Sequence, residues 1–132
     1  MMERLGIMNK KEIVSKLRKS GLNLEEIIVI SGASLVMQDV IDSTNDIDLS
    51  CAKDYYDKIK WPEKVGAFNV EIKYHDVFEI SYNLYYPDKV VIIDGIKFLN
   101  LEECLKIKEN LNREKDIEII SKLRKKLKNK VR

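Results

Sequence analysis

One histidine, two cysteines, two prolines and one tryptophan in 132 residues narrow the chemistry open to this chain. With His75 alone, a histidine-based zinc site, a Ser–His–Asp triad and a His–Cys dyad are all disfavoured. Cys51, at a strand end, and Cys104, in a helical pattern, show no ligand spacing. They read as two buried thiols in a reducing cytoplasm. No run of 18 apolar residues occurs, so no transmembrane helix and no membrane partner are expected. The opening twenty residues, MMERLGIMNKKEIVSKLRKS, lack the apolar stretch of a secretory signal, which again points to a cytoplasmic protein.

Hydrophobic residues make up 45% of the chain and charged ones 35%, the balance of a single globular domain with a heavily charged surface. A net charge of +2 conceals an asymmetry. Residues 121–132 hold seven Lys or Arg and no acid, which leaves 17 bases against 22 acids, net −5, in the rest. A basic tail on an acidic body can attract nucleic acid or nucleotide. It also reads as a helix end whose cations suit the helix dipole.

The stretch around which the chain is organised is residues 27–51, IIVISGASLVMQDVIDSTNDIDLSC. Four β-favouring apolar residues (27–30) break at Ser31-Gly32-Ala33. A short apolar-periodic helix (34–41) follows, then a polar turn (42–45) and a second strand (46–49). Period-two geometry puts Asp46 and Asp48 on one face of that strand and Ile47 and Leu49 on the other. The ten Asp residues make about 0.8 Asp-x-Asp pairs expected by chance, so the pair alone carries little; its context carries the information. Paired carboxylates on a strand form a hard, all-oxygen site suited to Mg²⁺ holding a phosphate chain. The small residues at 31–33 let backbone N–H groups approach a phosphate.

The rest reads as alternating elements. A helix over 9–20 is capped near Gly21, and another covers 52–60 before Trp61-Pro62. Strands are expected at 68–74 and 77–82 around a His75-Asp76 turn, and at 90–93 and 96–99 around Asp94-Gly95. Asn100 with Glu103 is a capping-box pair for a helix from 101. Residues 110–112 mark a bend before a last helix. The expected fold is α/β (α+β): a small mixed sheet of four to five strands flanked by helices, with a helical C-terminal segment closing the site. The core spans about 25–100 and the terminal helices about 101–130.

SGASL, followed thirteen residues after Gly32 by DIDLS, resembles the nucleotidyltransferase superfamily that includes DNA polymerase beta. The likeness is to its small prokaryotic and phage branch of abortive-infection and toxin-type members, and covers roughly residues 25–120. One position of the family's Gly-Gly or Gly-Ser step differs here, whether it is aligned as Ser31-Gly32 or as Gly32-Ala33. The resemblance implies that Asp46 and Asp48 hold two Mg²⁺ ions while an acceptor hydroxyl attacks the α-phosphorus of an NTP. Ser31 and Gly32 would cradle the β and γ phosphates, with Ser34 as a further donor; Ser31 equally reads as a cap on the helix that follows. A third carboxylate is implied on a neighbouring strand: Glu79 in VFEIS, with Glu71 in NVEIK as its rival. Lys108 would touch a phosphate, and Lys115 with Asp116 would bind nucleotide, in a stretch that reads without the family as a solvated helix face. Tyr82, Tyr85 and Tyr86 either stack a base or fill the core.

Two functions follow as expectations. One is metal-dependent transfer of NMP from an NTP to a hydroxyl of a protein, RNA or small molecule. The other is a catalytically inactive module of the same fold, binding nucleic acid or protein in a toxin–antitoxin or phage-defence pair.

Overall fold

The structure is a computed structural model and describes residues 7–130. Arg132 of the basic run lies outside the described residues.

Helix α1 (Lys10–Arg18) opens on a complete capping box: Asn9 accepts from the Glu12 N–H while Glu12 accepts from the Asn9 N–H, each at 3.0 Å. Strand β1 (Ile27–Ile30) is buried along its whole length and passes directly into α2 (Ser31–Met37). Strand β2 (Ile47–Cys51) returns antiparallel to β1, with Ile30 opposite Asp48 and Ile28 opposite Ser50. Helix α3 (Lys53–Lys58) leads to β3 (Glu63–Val65), then the hairpin β4 (Glu71–His75) and β5 (Phe78–Ser81). A second hairpin, β6 (Val90–Ile93) and β7 (Ile96–Leu99), turns at Asp94-Gly95, both with left-handed backbone (φ 54° and 75°). Helices α4 (Leu101–Leu111) and α5 (Ile117–Lys130) complete the chain.

The sheet has seven strands in the order β3-β4-β5-β2-β1-β7-β6, so the expected four to five strands were too few. One strand, β3, is not expected from sequence, and the expected hairpin at 90–99 joins the main sheet. The segment forming β3, Glu-Lys-Val, is exposed along its length and is defined only by pairing with β4. The β6–β7 hairpin joins the same sheet through parallel pairing of β7 with β1, a contact of high sequence separation. Smaller differences are local. His75 ends β4, so the turn is Asp76-Val77, and the strand expected from 68 begins at 71 after a 3₁₀ turn at Ala67–Asn69. The Asn100 side chain caps α4 through the Glu103 N–H, but the Asn100 N–H goes to the Lys89 carbonyl, leaving half a capping box.

The registers assign the two sheet faces. Ile27, Val29, Ile47, Leu49, Phe78 and Ile80 pack with Ile13 and Leu17 of α1 and Tyr56 of α3. On the other face Ile28, Ile30 and Leu99 pack against Leu101 and Cys104 of α4 and Leu123 of α5. Full burial stabilises by roughly 1.5–3 kcal/mol per such side chain, so both layers hold the sheet. Across β2 and β5 this second face turns polar: Asp48 lies beside Glu79 and Ser50 beside Ser81. Helices α4 and α5 cover its apolar part; of the polar part, Ser50 is buried while Asp48, Glu79 and Ser81 stay partly exposed. No helix among the described residues is long and apolar enough to cross a membrane.

Candidate active site

Parallel pairing of β2 with β5 sets Asp48 directly beside Glu79, on one face because opposed residues in a sheet share a face. Asp46 lies one residue ahead of β2 and is exposed. Burial first, then the charges of Asp46 and Glu79, push the Asp48 carboxyl up to about 6, against a hydrogen bond from Ser31 and the charge of Lys108. The charges of Asp46 and Glu79 thus both reach Asp48, and the protein's own cations offset this only in part.

Glu71 lies elsewhere. In the β4–β5 register Tyr74 is opposite Glu79, which puts Glu71 and Lys73 on the other sheet face. There Glu71 accepts from the Tyr82 hydroxyl at 2.7 Å. Tyr82 meets Tyr56 edge-on at 5.0 Å between ring centres, so it packs beside the sheet on the side away from Asp48. Glu79 receives the Lys64 ammonium at 2.7 Å, a contact that depends on β3. Both side chains are substantially exposed, and such pairs are worth about 0–1 kcal/mol, weak enough to exchange.

A cleft of about 810 Å³ begins at this point. One side is formed by Ser31, Gly32, Thr44, Asp46 and Asp48. Lys108, Arg113, Lys115 and Asp116 come from the junction of α4 and α5. That junction is shaped by Asn112, whose left-handed backbone (φ 50°) ends α4. Ser31 is also left-handed (φ 56°), at the step from β1 to α2, and no side chain caps that helix. A Cβ on Gly32 would lie 2.7 Å from the Thr44 hydroxyl, which itself donates to the Asp46 carbonyl at 3.3 Å. Glycine at 32 lets the turn carrying Asp46 close against α2. The Thr44 backbone also exchanges hydrogen bonds with Met8, at 2.7 and 3.0 Å, which pins this turn from outside.

Ser34 and Asp116 are placed differently from what the resemblance implies. Ser34 is 0% exposed and does not line the cleft; its hydroxyl donates to the Leu99 carbonyl at 2.6 Å and accepts from Gln38 at 2.9 Å. It ties α2 to the end of β7. Ser34→Ala is expected to lower stability by about 1–2 kcal/mol, the usual cost of a lost buried hydrogen bond, and to leave nucleotide affinity unchanged; denaturant melts paired with nucleotide titration check this. Asp116 lines the cleft but is 2% exposed, engaged by Arg113 Nε at 2.6 Å and Lys108 Nζ at 3.3 Å. Burial alone would push its carboxyl up; Arg113 and Lys108 outweigh that and hold it below the usual carboxylate range. Its position is that of a brace for two cations. Lys115 is exposed in the cleft.

Comparison with family models, with curated proteins and with solved structures returns no match.

Three contributors were not singled out from sequence. Arg113 belongs to the Arg-x-Lys-Asp stretch at 113–116 that is part of the resemblance, but no role was assigned to it there. Lys64 could not, because β3 has no period of its own. Thr44 is defined by its approach to Gly32, which no local pattern encodes. Among the described residues, no group of three or more His, Cys, Asp or Glu is arranged to hold a metal ion. Mg²⁺ does not require one: it is commonly bound by one or two carboxylates plus substrate phosphates. Asp46 and Asp48 supply hard oxygen donors of that kind, and the raised Asp48 carboxyl marks a point where a cation would relieve repulsion.

Proposed function

We propose that this chain is a metal-dependent nucleotidyltransferase that moves NMP from an NTP to a hydroxyl on a protein, RNA or small molecule. The observation that carries this reading is that Asp46 and Asp48 line a cleft together with Lys108, Arg113 and Lys115, with Glu79 paired to Asp48 on the neighbouring strand. Asp46 and Asp48 would hold Mg²⁺, which when bound supplies charge neutralisation at the phosphate oxygens. Lys108, Arg113 and Lys115 bring positive charge to the cleft, Arg113 and Lys108 held in place by Asp116. Gly32 leaves room for the turn that presents Asp46. Glu79, once released by Lys64, would take the acceptor hydroxyl's proton. A new bond forms between that oxygen and the α-phosphorus, the bond to the bridging oxygen breaks, and pyrophosphate leaves. A cytoplasmic setting fits this substrate.

Two observations favour a second reading, an inactive module of this architecture that binds nucleic acid or protein in a toxin–antitoxin or phage-defence pair. Glu79 is already ion-paired with Lys64, and Asp116 already occupies Arg113 and Lys108. The basic residues Lys122, Arg124, Lys125 and Lys128 on α5 would then meet the partner.

Label transfer separates the two. With Mg²⁺, label from the α-phosphate of one NTP should appear on an acceptor, γ-label should not, and Asp46→Asn should abolish transfer. Absence of α-label transfer to RNA, protein and small hydroxyl acceptors alike, together with metal-free RNA binding, would favour the module.

A further inference from the structure

Phe68 is 78% exposed and Leu84 36% exposed, yet both line the cleft next to Asp48. Both have left-handed backbone, φ 58° and 60°, a conformation that large side chains seldom adopt. Asn69 beside Phe68 is left-handed as well (φ 60°). Neither Phe68 nor Leu84 belongs to either core cluster. Residues held in such conformations without packing in return are the kind that cluster at ligand contacts.

The surroundings narrow the ligand. A side depression of about 230 Å³ opens from the cleft and shares with it Phe68, Leu84, Val70, Asn83 and Leu111. It is smaller than the roughly 300–1,000 Å³ of a whole small-molecule site, so it takes part of a ligand whose remainder lies in the cleft. Phe68, Leu84, Val70, Ile72 and Leu111 give it an apolar side that suits a flat apolar face, while Asp48, Glu79 and Arg113 form its charged end. Asn83 adds a donor and an acceptor on one amide, and its backbone is fixed, the carbonyl accepting from Ser50 and the N–H donating to Ser81. An aromatic face, an apolar side chain and an amide beside a cleft that carries Lys108, Arg113 and Lys115 match a nucleobase.

We propose that Phe68 and Leu84 hold the base of the bound nucleoside triphosphate, Phe68 by stacking on its face and Asn83 by reading its edge. This rests on the nucleotidyltransferase reading. The test is calorimetric titration of the full chain and its Phe68→Ala and Phe68→Trp variants with each Mg²⁺–NTP and with Mg²⁺–tripolyphosphate, which has no base. Phe68 is exposed enough that truncation spares the fold. Phe68→Ala should weaken the preferred NTP about tenfold or more, the usual loss for a stacked base, and leave tripolyphosphate binding unchanged; Phe68→Trp should retain NTP binding. Unchanged NTP affinity in Phe68→Ala overturns the base site while leaving the nucleotidyltransferase reading intact. Equal weakening of both ligands overturns it too, since Phe68 would then act on the phosphate site. Wild-type protein that binds neither ligand removes both proposals.

Discussion

Asp48→Asn should make the metal-free protein more stable at neutral pH while eliminating Mg²⁺-dependent nucleotide binding. The Asp48 carboxyl, ordinarily near 3.8, is pushed up to about 6 by burial and by the charges of Asp46 and Glu79. At pH 7 the folded protein must hold it ionised against that environment. A difference of about two pH units corresponds to roughly 2–3 kcal/mol, and an uncharged amide of the same shape removes that penalty. The Ser31 hydrogen bond can be kept by the amide. For a chain of this length, the melting temperature should rise by several degrees.

The pH dependence gives the same prediction an independent sign. A carboxyl raised in the folded state contributes stability that is fully present below about pH 4 and lost as pH rises through about 6. Wild-type protein without Mg²⁺ should therefore lose stability between pH 4 and pH 6 relative to Asp48→Asn, and the two curves should converge below pH 4. Thermal melts across that range read this directly. Parallel curves for the two proteins would show that Asp48 ionises normally and would contradict this prediction.

Asp116→Ala should be among the most damaging single changes, and should act through the fold before it acts on any ligand. The Asp116 side chain is 3% exposed and the Lys108 side chain 11% exposed. Removing the carboxylate leaves the Lys108 ammonium buried without its partner, at a cost of about 3–5 kcal/mol. Arg113 escapes more easily, because its side chain is 38% exposed. Adding Lys108→Met to the Asp116→Ala protein should recover part of the loss, since the stranded charge is gone. Urea denaturation of the four proteins in this cycle measures it. A loss under 1 kcal/mol in Asp116→Ala would mean that Asp116 is free for nucleotide rather than engaged as a brace. The pH sign is opposite to that of Asp48: a lowered carboxyl contributes stability that is present at neutral pH and lost in acid.

Much of this arrangement is legible wherever a local physical rule decides it. The unbroken run Ile27–Ile30 reads as a strand covered on both faces because neither parity can face water, and its residues divide between the two core layers. Asp94-Gly95 reads as a turn because its residues tolerate positive φ. Asp46-Ile47-Asp48 reads as carboxylates opposed to a buried isoleucine through period two alone. The illegible parts depend on contacts far apart in sequence. Exposed β3 exists only through β4, so neither the strand count nor the Lys64–Glu79 pair could be reached from the chain. Ser34 follows two positions after Gly32 and looks like a site hydroxyl, but the helix turns it toward Leu99. Glu79 and Glu71 have the same flanking pattern; the β2–β5 and β4–β5 registers together separate them.

The most direct test is calorimetric titration of wild-type protein at pH 7 with each NTP, with and without Mg²⁺. Saturable, Mg²⁺-dependent binding of at least one NTP, absent in Asp48→Asn, is the expected result. Failure of every Mg²⁺–NTP to bind, or binding by Asp48→Asn as tight as by wild type, would contradict the assignment of Asp46 and Asp48 as the nucleotide's metal site.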